Sequence, residues 1–120
     1  MLRVIVADDS RVMRQIVIRT LRQAGYDWDI TEASDGAAGL AAVRADEPDV
    51  VLSDWNMPEM TGIEFLRALR AEGFDTPFAF ITSESSPEMR AQAEEAGALF
   101  LISKPFTAES FRDAIEPVLA

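Results

Sequence analysis

Five short apolar runs, each followed by a stretch with helical periodicity, constrain the fold of this chain more than any other feature of its sequence. The central run, at 50–53, has no polar alternation, which is typical of a strand that is covered on both faces. Turn-forming residues flank it, with Pro48 before the run and Pro58 after it. Strands that alternate with helices predict a parallel sheet with helices on both faces. The predicted strands span residues 2–7, 29–33, 50–54, 76–82 and 98–102.

Capping residues and periodic apolar positions predict a helix after each strand. Asp9 or Ser10 is expected to cap the first helix, whose inward-facing apolar stripe includes Ile16. Ser85 begins a capping-box pattern at the start of the fourth helix. Pro117 is expected to distort the final turn of the fifth helix, because proline lacks the N–H that helical hydrogen bonding requires.

The overall composition limits the class of protein and its partners. The 120 residues fit one domain spanning 1–120, and a net charge of -10 disfavours direct binding to nucleic acids. Hydrophobic residues make up 48% of the chain, which is ordinary for a globular protein, and no apolar run is long enough to span a membrane. The chain has no cysteine, which excludes thiolate metal sites and favours a cytoplasmic location. It also has no histidine, so histidine-based catalytic triads are excluded.

Polar residues follow four of the predicted strands, at the edge where a sheet of this kind binds its ligands. In chain order these residues are Asp8, Asp9, Asp54, Thr82 and Lys104. Two carboxylates ~5 Å apart repel by roughly 3 kcal/mol at an effective dielectric of about 20, so a cluster of them favours a bound cation. An all-oxygen donor set suits a hard ion, of which Mg²⁺ is the best candidate. With a lysine and a hydroxyl beside it, the cluster predicts phosphoryl transfer onto Asp54.

Each of these residues also has an ordinary structural interpretation when it is taken alone. Asp8 and Asp9 are suited to capping the first helix, and Asp54 to forming a turn. Thr82 is suited to ending a strand, and Lys104 to a solvated loop. Their convergence favours the functional interpretation, because unrelated surface residues would not all fall at the carboxyl ends of neighbouring strands.

Four segments, spread over almost the whole chain, match the motifs of one known family in the same order. They are Val-Ala-Asp-Asp-Ser-Arg at 6–11, Leu-Ser-Asp-Trp-Asn-Met-Pro-Glu-Met-Thr-Gly at 52–62, Ile-Thr-Ser-Glu at 81–84 and Ser-Lys-Pro-Phe at 103–106. With these segments the sequence resembles the receiver domain of response regulators, in particular the CheY-like single-domain type that acts in chemotaxis. The resemblance implies an α/β fold of the flavodoxin-like (βα)5 type. This fold is a doubly wound five-stranded parallel sheet with strand order 2-1-3-4-5.

The resemblance also implies how the predicted site works. Asp54 would accept a phosphoryl group from a sensor histidine kinase, which would supply the histidine that this chain lacks. Asp9 and Asp54 would bind Mg²⁺ directly, together with the backbone carbonyl of Asn56. Asp8 would act through a coordinated water molecule.

The resemblance extends to the response that follows phosphorylation. Thr82 and Lys104 would contact the phosphoryl oxygens, and the peptide bond before Pro105 would be cis. A downstream protein would bind the face formed by the fourth helix, the fifth strand and the fifth helix. The family commonly has Tyr or Phe three residues before the lysine, where this chain has Leu101, and the adjacent Phe100 should face the other side of the strand. We therefore expect Leu101 to occupy the switch position and to give a partner a smaller conformational change.

Three other functions are alternatives at this point. An aspartate-nucleophile phosphatase of the haloacid dehalogenase type would use Asp54 and Mg²⁺ in a similar way, but needs a second aspartate where Asn56 stands. A flavin-binding module of the same topology would need a phosphate-cradling loop, where Asp8 and Asp9 would instead repel the phosphate. A phosphate sink, which drains a kinase without an output of its own, is compatible with Leu101.

Overall fold

A five-stranded parallel sheet lies between two layers of helices in the computed structural model, which describes residues 2–119. In chain order the elements are β1 (Arg3–Ala7), α1 (Arg11–Gln23), β2 (Asp29–Ala33), α2 (Gly36–Ala45), β3 (Val50–Ser53), α3 (Gly62–Ala71), β4 (Phe78–Thr82), α4 (Pro87–Glu95), β5 (Leu101–Ser103) and α5 (Ala108–Leu119). The strands pair in the order β2-β1-β3-β4-β5, which confirms the predicted topology. Within residues 2–119, no helix has the length and apolar character needed to cross a membrane.

The register of the sheet brings the carboxyl ends of β1 and β3 side by side. Ala7 pairs with Ser53 across these two strands, and the N–H of Asp54 donates to the carbonyl of Ala7 over 2.8 Å. The N–H of Asp8 donates to the carbonyl of Ala33 on β2 over 3.0 Å. These backbone hydrogen bonds hold Asp8 and Asp54 at neighbouring points just beyond the ends of their strands.

Two apolar layers cover the sheet, one on each face. Val51 of β3 packs in the layer beneath α2, α3 and α4, whereas Val50 and Leu52 pack in the layer beneath α1 and α5. A strand that is buried on both faces needs apolar side chains at successive positions, which explains the unbroken run in the sequence. Phe111 of α5 is fully enclosed in the second layer, and burial of one such side chain contributes about 1.5–3 kcal/mol.

A glycine holds the loop after β3 close to the start of α3. A Cβ on Gly62 would lie 2.1 Å from the carbonyl oxygen of Asp54, so a larger residue would force the backbone apart. The N–H of Gly62 donates to the carbonyl of Trp55 over 2.7 Å. Thr61 caps α3 through a reciprocal capping box with Glu64. The first turn of α3 therefore fixes the backbone at Asp54, the residue that follows the central strand.

Two local features differ from the prediction made on sequence alone, and the helix that contains Pro117 is continuous. Ser86, and not Ser85, caps α4, since its hydroxyl accepts the N–H of Met89. β5 is shorter than predicted and begins at Leu101. α5 continues through Pro117 to its last described residue, with the proline on the exposed side of the helix.

Candidate functional site

Three carboxylates meet at the carboxyl edge of the sheet, as predicted. One oxygen from each of Asp8, Asp9 and Asp54 lies within 4.8 Å of the other two. Asp8 is buried, Asp54 is half-buried and Asp9 is exposed. Because Asp8 follows β1 and Asp54 follows β3, the pairing of two adjacent strands sets the separation of their side chains.

Lys104 places a positive charge among these carboxylates. Its Nζ lies 2.7 Å from Oδ2 of Asp8 and 3.5 Å from Oδ2 of Asp54, and its side chain is only 9% exposed. The Lys104 N–H donates to the carbonyl of Thr82 over 2.7 Å, which ties the turn after β5 to the end of β4. The peptide bond between Lys104 and Pro105 is cis, as the resemblance implies. The ammonium group offsets part of the repulsion between the two carboxylates that it contacts.

The pKa of the Asp54 carboxyl is raised above its ordinary value, chiefly because burial disfavours the charged form. The positive charge of Lys104 opposes this rise, and the negative charge of Asp8 adds to it. The N–H of Trp55 donates to Oδ1 of Asp54 over 2.7 Å and also favours the ionised form. A half-buried carboxylate with a raised pKa beside a lysine is typical of functional sites, because catalytic and ligand-binding groups are often shifted in this way.

Thr82 and Asn56 lie at the edges of this site and differ in exposure. Thr82 ends β4 and is fully buried, with its hydroxyl accepting the N–H of Glu84 over 3.3 Å. The next residue, Ser83, lines the cleft beside Asp54. Asn56 is exposed in the loop that follows Asp54. The contacts of Thr82 with phosphoryl oxygens and of the Asn56 carbonyl with a metal stay predictions.

A cleft of about 610 Å³ opens beside the carboxylates, and apolar side chains form part of its wall. Met13, Ile16, Pro105 and Phe106 form this apolar part of the wall. The sequence prediction that Ile16 faces the core is wrong, since its side chain is 41% exposed. The apolar stripe of α1 extends beyond the core here, because the cleft separates the first turns of α1 from the loop between β5 and α5. The helical spacing of Met13 and Ile16 does not distinguish this wall from the core, because it gives the direction of a side chain but not whether another element covers it.

Phe100 and Leu101 point to opposite faces of the sheet, as predicted. Leu101 is buried in the layer beneath α4. Phe100 packs edge-on against Phe111 in the layer beneath α5, with ring centroids 6.2 Å apart. The guanidinium of Arg90 on α4 donates to the carbonyl of Leu101 over 3.1 Å. Leu101 therefore lies where the switch was expected, and its action as a switch stays a prediction.

The residues at this site fit a divalent cation such as Mg²⁺. The three converging groups, on Asp8, Asp9 and Asp54, are all carboxylates, and hard cations of this kind prefer oxygen ligands. The exposed Asp9 leaves the group accessible from solvent. Lys104 neutralises part of the negative charge of the three carboxylates. The site keeps a net negative charge, which would attract the ion.

The family follows from this fold and site together with comparisons to known proteins. The chain belongs to the response regulator receiver domain family, whose model matches residues 4–116. Chemotaxis protein CheY of Pseudomonas aeruginosa is 34% identical over 119 residues, which cover 98% of this chain and 95% of that protein. Chemotaxis protein CheY-3 of Vibrio cholerae is 35% identical, covering 98% of this chain and 91% of the relative. The crystal structure of CheY4 from Vibrio cholerae matches with a TM-score of 0.86 at 38% identity, covering 98% of both chains.

These similarities identify the chain as a CheY-like receiver domain of two-component signalling. The family assignment favours this function over the phosphatase and the flavin-binding alternatives. The class of protein is therefore established by the match over nearly the whole chain.

Proposed function

We propose that Asp54 accepts a phosphoryl group from the phosphohistidine of a sensor histidine kinase. The observation that carries this proposal is the meeting of Asp8, Asp9 and Asp54 within 4.8 Å, with the Lys104 ammonium group beside two of them. The match to the receiver family supports the reaction class. Among these three residues Asp54 is the best acceptor, because it is half-buried beside the cleft, whereas Asp9 is exposed and Asp8 is buried and paired more closely with Lys104.

The transfer exchanges one bond to phosphorus for another. A carboxylate oxygen of Asp54 forms a bond to phosphorus while the bond between phosphorus and the histidine nitrogen breaks. The electron pair of the broken bond stays on the nitrogen, so the kinase regains a free histidine and Asp54 carries an acyl phosphate. The carboxylate must be ionised to attack, and Lys104 and the N–H of Trp55 both favour that form.

Four residues of this chain would hold Mg²⁺ during the transfer. Asp9, Asp54 and the carbonyl of Asn56 would bind the ion directly, and Asp8 would act through a coordinated water. When bound, Mg²⁺ neutralises the charge that develops on the phosphoryl oxygens.

Lys104 and Thr82 would contact the phosphoryl group once it is on Asp54. Lys104 Nζ lies 3.5 Å from Oδ2 of Asp54 and would pair with a phosphoryl oxygen there, which supports this role. The Thr82 hydroxyl, which accepts the N–H of Glu84, would move toward the phosphoryl group and donate its hydrogen to a phosphoryl oxygen. Since Glu84 lies in the loop that leads to α4, this movement would transmit phosphorylation to α4.

The proposed output is a change in binding at the face formed by α4, β5 and α5. A downstream protein would bind this face, and Leu101 would adjust beneath it as Thr82 moves. Leucine has no hydroxyl and a smaller surface than tyrosine, so the conformational change that a partner could detect at Leu101 would be smaller. A phosphate sink, which needs no output partner, is therefore a second candidate function. Capture of partners with and without beryllofluoride separates the two, because a sink should bind no protein other than its kinase in a phosphorylation-dependent way.

We further propose that residues 1–120 act as one receiver domain in the cytoplasm. The absence of cysteine supports this location, and the net charge of -10 argues against nucleic acid as a direct partner.

Labelling with a small phosphodonor tests the proposed acceptor. Wild-type protein incubated with radiolabelled acetyl phosphate and Mg²⁺ should incorporate label, and Asp54→Asn should incorporate none. Asp27→Asn is the matched control, because the Asp27 side chain is 89% exposed and pairs only with Arg22 at the surface among the contacts of residues 2–119. Equal labelling of Asp54→Asn and wild type would show that a different residue is the acceptor.

A further inference from the structure

Arg14 on α1 contacts the backbone of the segment after β1, which carries Asp8 and Asp9, although Arg14 does not belong to the carboxylate group itself. Its Nη1 donates to the carbonyl of Asp8 over 2.7 Å, and its Nε donates to Oε1 of Glu32 over 2.9 Å. The Arg14 side chain is only 14% exposed, so little water competes for these bonds. One guanidinium group thus joins α1 to β2 and to the loop that leaves β1.

The carbonyl that Arg14 holds belongs to the peptide bond between Asp8 and Asp9. The N–H of Ser10 donates to Oδ1 of Asp8 over 2.9 Å and orients that side chain, while Arg14 orients the peptide that follows. A rotation of this peptide would turn the Asp9 carboxylate away from Asp54 and would break up the group of three. We infer that Arg14 is a positioning residue for the metal site, which holds this peptide so that both carboxylates meet Asp54. The inference rests on the Mg²⁺ site of the proposed function.

The direction in which Mg²⁺ affinity changes when Arg14 is removed distinguishes a positioning role from the effect of its charge. Arg14 is a positive charge near a site for a cation, so Coulomb's law alone predicts that its removal strengthens Mg²⁺ binding. Loss of orientation predicts the opposite, since removal of a residue that orients metal ligands typically weakens binding by about tenfold or more. Glu32 pairs with the Arg14 guanidinium and reduces the effect of its charge on the site. Weaker binding is therefore the expected outcome.

Mg²⁺ titrations followed by amide NMR shifts test this inference on folded protein. Arg14→Met keeps an apolar side chain without donors, and should bind Mg²⁺ about tenfold more weakly than wild type. Arg14→Lys keeps the charge but lacks the planar fork that reaches Asp8 and Glu32 together, and should weaken binding by about threefold. Arg22→Met is the matched control on the same helix, since Arg22 forms an exposed pair with Asp27, and should leave Mg²⁺ binding unchanged. The shifts report affinity for the folded fraction, so a loss of stability alone would not alter them.

Each outcome decides a different claim. A folded Arg14→Met protein that binds Mg²⁺ as tightly as wild type, or more tightly, overturns the positioning role alone. If Arg14→Met does not fold, wild-type affinity in Arg14→Lys overturns it. Titration of Asp54→Asn isolates the underlying site: affinity equal to that of wild type would overturn the proposed metal site, and the role of Arg14 with it.

Discussion

Replacement of Asp54 by asparagine should stabilise the protein in the absence of divalent ions, even though it removes the proposed phosphorylation site. Burial raises the pKa of Asp54 above its ordinary value of 3.8, so the folded protein binds this proton more tightly than the unfolded chain. The folding stability therefore falls as the pH rises from 3.8 through the folded-state pKa, and the loss is complete above that pKa. Asparagine is uncharged at every pH, so the variant does not lose folding stability in this way.

The distances in the site give the size of the effect. At an effective dielectric of about 20, Asp8, which lies within 4.8 Å, repels Asp54 by at least about 3.5 kcal/mol, and Lys104 at 3.5 Å attracts it by about 4.7 kcal/mol. These two contributions nearly cancel, so most of the desolvation cost of the Asp54 carboxylate, several kcal/mol for a buried ion, is left uncompensated. Asparagine keeps an oxygen that can accept the N–H of Trp55. We expect Asp54→Asn to be more stable than wild type by about 2 kcal/mol at neutral pH.

Urea unfolding in a chelating buffer measures this difference. The gain should shrink as the pH is lowered towards 3.8, and it should also shrink when Mg²⁺ is added, because the ion stabilises wild type more than the variant. Asp27→Asn, at an exposed surface pair, should change the free energy of unfolding by less than about 0.5 kcal/mol. An Asp54→Asn protein that is no more stable than wild type at neutral pH would refute the electrostatic reasoning.

Three further substitutions test separate parts of the structure. Lys104→Ala should bind Mg²⁺ more tightly in an NMR titration, because it removes a neighbouring positive charge, and should no longer couple phosphorylation to partner binding. Gly62→Ala should lower the free energy of unfolding by roughly 2 kcal/mol or more in urea, and should slow labelling by acetyl phosphate, because its Cβ would lie 2.1 Å from the Asp54 carbonyl oxygen. Phe111→Ala should destabilise the fold by about 3–5 kcal/mol in thermal unfolding, since this side chain is fully buried.

Each of these three expectations has an outcome that contradicts it. Weaker Mg²⁺ binding or normal partner binding by Lys104→Ala would remove the role given to the lysine. Wild-type stability in Gly62→Ala would show that the backbone approach is not tight. A loss of less than about 1 kcal/mol in Phe111→Ala would mean that the layer beneath α5 collapses around the missing ring.

The sheet was predictable from sequence because its strongest strands carry the simplest patterns. The unbroken apolar run of β3 and the apolar segment of β4 follow directly from burial on both faces. β5 was predicted to begin too early, because the apolar residues before it, including the 43% exposed Leu99, resemble a strand without being part of one. Ser85 and Ser86 are both suitable caps, and only the backbone conformation decides that Ser86 takes this position.

The acidic site was predictable because strand ends of a parallel sheet meet at one edge, which brings Asp8 and Asp54 together. The role of Ile16 was not predictable, since helical periodicity gives the direction of a side chain but not whether another element covers it. The contact of Arg14 with the carbonyl of Asp8 was also hidden, because a backbone acceptor leaves no trace in the residue pattern. The hydroxyl of Thr82 likewise bonds a backbone N–H, at Glu84, that sequence does not reveal.

Chemical mapping of the acceptor in the wild-type protein tests the central claim most directly. Acyl phosphates are reduced by borohydride, which converts a phosphorylated aspartate to homoserine at that position in the chain. After treatment with acetyl phosphate and Mg²⁺, peptide mass spectrometry should find homoserine at position 54, and should not find it when Mg²⁺ is chelated. Homoserine at another aspartate, or equal conversion without a divalent ion, would contradict the assignment of Asp54 as a metal-dependent phosphoryl acceptor.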